Sequence, residues 1–280
     1  MASQVQQARE ALANRLKEIR KDEGLTGRQL AALSGWHFTK ISKLEHAVTS
    51  PSEDDIRTWC RHCRAEDQVP DLIANLRSIE SMYLEWRRQL RAGLKYVQES
   101  SVPLYERTHS FRVYESAVIP GLFQTAEYVA AILRIAADLY ESGSDIDQAV
   151  AARMERQRFL YDRERRFSFV LEEEALRTMI GGRDVMLGQL DRILAVMSLP
   201  SVSVGVIPSM MARKIWPGEP FWIFDNHTVR IEITSAHLTI TRPQEIALYG
   251  SAFEWLQRSA LYGAAARDLV ARAIAEIAAT

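Results

Sequence analysis

Leu25-Thr26-Gly27-Arg28-Gln29-Leu30-Ala31, Ser34-Gly35 and Ile41-Ser42-Lys43-Leu44-Glu45 form the stretch that decides the fold of the first part of the chain. Thr26 followed three residues later by Gln29 is a capping box, in which each side chain satisfies a free backbone N–H at a helix start. The short helix it opens carries Leu30, Ala31 and Leu33 and stops at Ser34-Gly35. There the turn needs a left-handed backbone, which costs residues other than glycine roughly 1 kcal/mol or more. Ala31 is small enough for two helices to cross closely. A second short helix starting near Trp36 turns Ile41 and Leu44 inward and projects outward from His37.

Upstream, Leu12, Leu16 and Ile19 recur at helical spacing until Gly24 stops the helix. Downstream, Ser50-Pro51-Ser52 ends one element and caps the next, whose inner stripe is Ile56, Trp59, Cys60 and Cys63. Two short helices joined through Gly35, with one before and one after, make the helix-turn-helix arrangement, whose second helix can enter the major groove. These residues resemble the XRE family of DNA-binding domains over about 60 residues. The resemblance implies base-facing positions at His37, Phe38, Thr39 and Lys43. It sets Thr26, Arg28, Lys40 and Ser42 against phosphates or adjoining base edges, and pairs Arg20 with Glu45 as a structural ion pair. Lys43 can donate to guanine O6 or N7, Thr39 and Phe38 can touch a thymine methyl, and His37 can donate or accept. Phe38 departs from the family's usual Gln or Ser, and either touches DNA or packs inward. A four-helix domain used only for protein contacts is the rival.

From Asp71 to Leu90, the residues Leu72, Leu76, Ile79, Tyr83, Trp86 and Leu90 step in a heptad rhythm. This predicts a connecting helix within 67–93, either packed on the following domain or forming a dimer. Beyond Gly93 the texture turns mixed. Helices are expected around Val129–Leu139, over Ile146–Arg163, and over Pro243–Leu261 and Ala264–Ile277. Five strands are expected: Phe167–Leu171, Val202–Val206, Phe221–Phe224, Val229–Ile233 and Leu238–Ile240, with a hairpin at Asp225-Asn226-His227. The expected fold is α+β in two domains: a helical DNA-binding domain over 1–66, the connecting helix, and a mixed α/β domain over 94–280 with a small sheet of about five strands.

Tyr114-Glu115, Pro120-Gly121-Leu122-Phe123-Gln124-Thr125-Ala126-Glu127-Tyr128, Leu171-Glu172-Glu173-Glu174-Ala175-Leu176, Gly181-Gly182 and Leu199-Pro200-Ser201-Val202-Ser203-Val204 resemble the DUF5753 domain. That domain follows XRE domains in antitoxin-like regulators of actinobacteria. The resemblance covers roughly residues 100–277 and implies a transcriptional regulator, often encoded beside a small DUF397-type protein that serves as its partner. Phe123 stands where Leu is commoner, Glu173 where Asp is frequent, and Trp216-Pro217-Gly218-Glu219 is less familiar. From the residues themselves, Thr125 caps a helix, and Gln124-Thr125 is either a structural joint or a docking or ligand-gating element. Trp216, Phe221 and Trp222 either line a small-molecule pocket or pack as strand-face core. Gly181-Gly182 before Asp184 is a tight turn or an anion-holding helix start.

Composition narrows the rest. Of 280 residues, 47% are apolar and 25% charged, enough apolar surface to exclude wholesale disorder. Net charge is −1, but residues 1–64 carry 11 Lys/Arg against 8 Asp/Glu, so what positive excess exists lies in the helical domain. The N-terminal residues show no secretory signal, and the 20-residue uncharged run Ile193–Ala212 holds Pro200 and Pro208, so no membrane span is expected. Two cysteines argue against a disulfide scaffold and for a reducing, cytoplasmic setting. Cys60 and Cys63 form a lone C-x-x-C, short of the four ligands zinc needs, so no metal and no cofactor are expected. Glu172-Glu173-Glu174 reads as a helix start rather than an acid–base pair, and no catalytic fingerprint is present, so no enzyme is expected. Arg153, Arg156, Arg158, Arg163, Arg165 and Arg166 read as a solvated face with local ion pairs. The expected partners are double-stranded operator DNA, a second copy of the chain, and either a small-molecule effector or a small protein.

Overall fold

A computed structural model describes residues 4–85, 89–142 and 145–280. The chain divides into two compact units, Met1–Tyr83 and Leu84–Thr280. The first holds helices α1 (Gln4–Asp22), α2 (Gly27–Ser34), α3 (Phe38–Glu45), α4 (Glu53–His62) and α5 (Val69–Met82). Both capping boxes form: Thr26 with Gln29 at α2, and Ser52 with Asp55 at α4. Gly35 sits at φ +71° and its N–H returns to the α2 carbonyls, so the turn is closed by the one residue without a steric penalty there. Leu16, Ile19, Leu30, Ile41, Leu44 and Trp59 make one buried core. The indole of Trp59 donates to the Leu16 carbonyl at 2.9 Å, tying α4 to α1.

The stripe Leu72, Leu76 and Ile79 of α5 is buried in this same core. The expected helix through Leu90 is therefore corrected. It packs back onto α1 and α4, and at Tyr83 the backbone becomes extended as β1 (Tyr83–Glu85). Its heptad position Trp86 lies outside the described residues. The α3 helix starts at Phe38 rather than Trp36, because His37 serves as its cap.

The second unit is built on a mixed sheet with six main strands, one more than expected, and a short seventh at its edge: the six are β2 (Ser110–Glu115), β3 (Arg166–Glu172), β4 (Val202–Ile207), β5 (Phe221–Phe224), β6 (Thr228–Ile233) and β7 (Ala236–Ile240). The short β1 follows β7 at the edge, giving the order β1-β7-β6-β5-β2-β3-β4. Pairing is parallel through β2, β3 and β4 and antiparallel from β2 through β5, β6 and β7. The unforeseen strand is β2. It is central, and Arg112 interrupts its apolar run and reaches Asn226 Oδ1 at 2.7 Å.

Around the sheet lie α6 (Leu94–Glu99), α7 (Val102–Arg107), α8 (Ala126–Tyr140), α9 (Ile146–Glu155), α10 (Arg183–Val196), α11 (Pro243–Ser259) and α12 (Gly263–Ala278). The expected helix to Arg163 ends early: α9 stops at Glu155 and a 3-10 helix continues to Tyr161. One sheet face (Phe111, Val113, Phe169, Phe224) packs in a core with α10 and α12, and the other (Tyr114, Ile223, Val229) in a core with α11. The β4 edge is closed by a bridge from Val206 to Leu261. Gly205 makes that possible, since a Cβ there would stand 2.5 Å from the Tyr262 ring.

Candidate functional site

The outer face of the helix-turn-helix follows from what α3 buries. Ile41, Leu44 and Glu45 point into the core, which leaves Phe38, Thr39 and Lys43 exposed. Phe38 is 47% exposed, with the Arg28 guanidinium 5.9 Å from its ring centre, so the ring lies outward on the surface that joins α2 to α3. His37 is exposed at the cap, its Nδ1 accepting from the Thr39 N–H at 3.2 Å. Thr26 and Arg28 are exposed at the start of α2, and Ser42 is half-buried.

Lys40 is placed differently from the others. Its ammonium binds Asp55 Oδ1 at 2.6 Å and sits 4.1 Å from the Trp36 ring centre. Burial alone would raise the Asp55 carboxyl, but Lys40 and the Ser52 N–H outweigh it and hold the pKa below its ordinary value. Arg20 grips Glu45 with two N–H groups at 2.5 and 3.0 Å and also donates to the Leu25 carbonyl. Cys60 and Cys63 are buried in the helical core, and burial pushes both thiols up to about 11, which disfavours the reactive thiolate.

The second unit contains a cavity between α6, α8, α9 and the sheet. Two adjoining arms of about 280 and 210 Å³ share Ser101, Ile132, Arg153, Arg156, Arg230 and Glu232 in their walls. Trp222 stands opposite Arg230 across the β5–β6 pair, which puts both on one sheet face. The Trp222 indole donates to Glu115 Oε1 at 2.9 Å. Burial pushes the Glu115 carboxyl up to about 8, the Trp222 bond opposing, and Glu232 adding to the rise. Arg153 Nε and Arg156 Nη2 both donate to Gln98 Oε1, at 2.9 and 2.8 Å. Burial and the neighbouring Arg156 lower the Arg153 pKa to about 10, so it stays charged at neutral pH.

Gln124 lines this cavity, with its Oε1 accepting from Arg153 and its Nε2 donating to the Ile119 carbonyl. Thr125 caps α8, and its N–H donates to Gln189 Oε1. Trp216 is elsewhere. It is 79% exposed and borders a separate apolar groove of about 360 Å³ with Phe221, Leu248 and Trp255. Adjacent residues of a strand face opposite ways, so Phe221 and Trp222 do not share a pocket. The arginine cluster is also divided. Arg158 pairs with Glu155 and Glu106 at the surface, while Arg153 and Arg156 turn into the cavity. Sequence reasoning missed Arg230, Glu115 and Gln98. The available signal was the i, i+3 spacing of Arg153 and Arg156, together with an arginine between Val229 and Ile231.

Glu172 ends β3 and caps the 3-10 helix Glu173–Leu176, which opens with Glu173 and Glu174 as the sequence suggests. Glu172 is buried and held by Arg213 at 2.5 and 2.6 Å, and it accepts from the Tyr114 hydroxyl at 2.8 Å. Gly181 and Gly182 both have positive φ, and Gly182 caps α10 without a side-chain bond. Among the described residues no group of His, Cys, Asp and Glu has the arrangement of a metal site, and no helix is long and apolar enough to cross a membrane.

Comparison with known proteins agrees with this division. A helix-turn-helix domain family matches residues 11–73, and a domain of unknown function, DUF5753, matches residues 100–272. No curated protein matches the chain. Among solved structures the chain is similar to TrmBL2, described as an archaeal chromatin protein with a novel mode of DNA binding. The identity is 12% over 85% of this chain and 88% of that one, with a TM-score of 0.34. The DUF5753 match spans more than half of the sequence, so the chain belongs to the DUF5753 family and carries a helix-turn-helix domain ahead of that region.

Proposed function

We propose that this protein is a sequence-specific transcriptional regulator that binds operator DNA as a dimer through α3 and receives a small ligand in its second unit. The observation that carries the DNA half is the outward face of α3. Phe38, Thr39 and Lys43 are exposed on a helix whose opposite side is locked into the core by Ile41, Leu44 and the Arg20–Glu45 pair. One eight-residue helix reads few base pairs, and two copies on a near-palindromic site multiply affinity and set half-site spacing. Lys43 suits a guanine edge, and Arg28 and Thr26 suit the backbone beside it. Lys40 contributes through the frame, because its charge is already engaged by Asp55.

The test is fluorescence anisotropy of the full chain on the promoter fragment of its own gene against scrambled DNA over a range of salt. Selective binding that weakens steeply with salt supports the reading. Equal weak binding to both, together with an empty genome-wide fragment pull-down, defeats it. A second reading, an antitoxin-like module that neutralises a small DUF397-type protein, draws on the exposed apolar groove beside Trp216. Stable co-purification that Trp216→Ser abolishes would favour it.

A further inference from the structure

The cavity of the second unit gathers three cations whose hydrogen bonds go to neutral acceptors. Arg153 and Arg156 converge on one amide oxygen, Gln98 Oε1, and Arg230 enters from β6 with Nη1 on Ser101 Oγ at 2.9 Å. None of the three forms a salt bridge among the described residues. The Nε atoms of Arg156 and Arg230 are buried, with no hydrogen-bond partner there. A guanidinium has five donors and no acceptor, and its planar fork matches the oxygens of a carboxylate or phosphate. The local carboxyl groups do not supply that match. Glu115 is occupied by the Trp222 indole, and its raised pKa of about 8 leaves it mostly protonated at neutral pH. Glu232 lines both arms and its charge acts on Arg153 and Arg230, but it stands beyond ion-pair distance of any cation among the described residues and leaves their donors open. Like charges brought together in a partly desolvated site repel, and an anion between them reverses that. The walls beyond the cations are apolar: Leu94, Val97 and Ile132 along one arm, Tyr105 and Ile119 along the other.

We infer that this cavity binds a small oxyanion-headed molecule with an apolar body, a carboxylate or a phosphate monoester, its head between Arg156 and Arg230 and its body against Ile132. This rests on the reading of the second unit as the receiver of a small ligand, and names the chemistry of that ligand. The combined arms are of the size that encloses a small organic molecule. The paired guanidiniums select the head group, and the apolar walls select against bare inorganic anions.

The experiment is isothermal titration calorimetry of the full-length protein with octanoate, octyl phosphate and octan-1-ol. At least one of the two anions should bind saturably and at least tenfold more tightly than the alcohol, and the tighter of them identifies the head group. Arg156→Gln and Arg230→Gln should each weaken that binding tenfold or more, with the melting temperature of the ligand-free variants checked. Should either variant fail to fold, Ile132→Phe narrows the shared space without altering charge, and should weaken the same anion. No saturable anion binding, alcohol binding as tight as the anions, or unchanged affinity in folded arginine variants each overturns the assignment. Operator affinity measured with and without the probe separates this inference from the reading beneath it. Anion binding that leaves DNA affinity unchanged keeps the site and removes the sensor role. A neutral effector that shifts DNA affinity in a protein that binds neither anion keeps the sensor role and removes the oxyanion site.

Discussion

Arg20 and Glu45, 25 residues apart, form a two-point clasp from α1 to α3, and both are only 8% exposed. The third contact of Arg20, to the Leu25 carbonyl, fixes the chain just before α2. One guanidinium therefore sets the angle at which α3 leaves the core.

Removing one partner leaves the other charge buried. Arg20→Met is expected to cost about 3–5 kcal/mol of stability, a large share of what a small unit possesses. The double variant Arg20→Met/Glu45→Leu should recover much of that loss, because no buried charge remains. Urea unfolding followed at the Trp36 and Trp59 fluorescence of the helical unit checks both. A single variant as stable as the parent would show that the clasp is solvated.

Lys40 and Lys43 are three residues apart, but Lys40 is paired with Asp55 while Lys43 stands exposed, so the proposed DNA contact separates their effects. Lys43→Ala should weaken operator binding by about 1–3 kcal/mol and relax one base position, with little change in melting temperature. Lys40→Ala should remove the Asp55 pair and the Trp36 contact, costing about 1 kcal/mol of stability. Its loss of DNA affinity should be smaller and equal across sequences. Anisotropy on a set of single-base operator variants, beside thermal melts, separates the two. Base-selective loss in Lys40→Ala would reverse the assignment.

Glu115 makes stability depend on pH in a direction opposite to that of a paired carboxylate. Burial raises its pKa from 4.5 to about 8 in the folded state, so between those values the folded chain holds a proton that the unfolded chain has released. Stability therefore falls as pH rises through that window. Glu115→Gln removes the dependence and keeps an oxygen for the Trp222 indole. At pH 4 the two proteins should be equally stable, and by pH 8 the variant should be more stable, by on the order of 3 kcal/mol. His237, pushed down to about 4 by burial and by Arg230, is common to both proteins and cancels in the difference. Parallel stability curves for the two proteins from pH 4 to pH 8 would refute the burial account.

Local signals were legible where one short segment carries the whole instruction. The Thr26/Gln29 box, the turn at Gly35, the Ser52 cap and the 225–227 hairpin each depend on residues within a few positions of one another. Four of the expected strands rest on short apolar or alternating runs that survive in the sheet as β3, β4, β5 and β6, and the fifth lies within β7. Central β2 was not legible, since Arg112 breaks its apolar run and only its partner loop, at Asn226, explains the arginine. The heptad rhythm past Ile79 misled for a related reason. Periodicity states that a face is apolar, but not which neighbour buries it or where an extended backbone replaces the helix.

The sequence alone therefore determined the helix-turn-helix, its capping chemistry, the α+β division and the family resemblance, because caps, turns and periodicity act over one or two turns of chain. The tertiary structure decided which charged side chains are exposed and which are engaged. Lys40 lies beside Lys43 in sequence yet is held by Asp55, and Arg156 lies beside Arg158 yet turns inward to Gln98. It also drew Arg153, Arg156 and Arg230 into one cavity across some eighty residues. Such convergence depends on strand order and on the direction of each side chain, neither of which is written in local spacing.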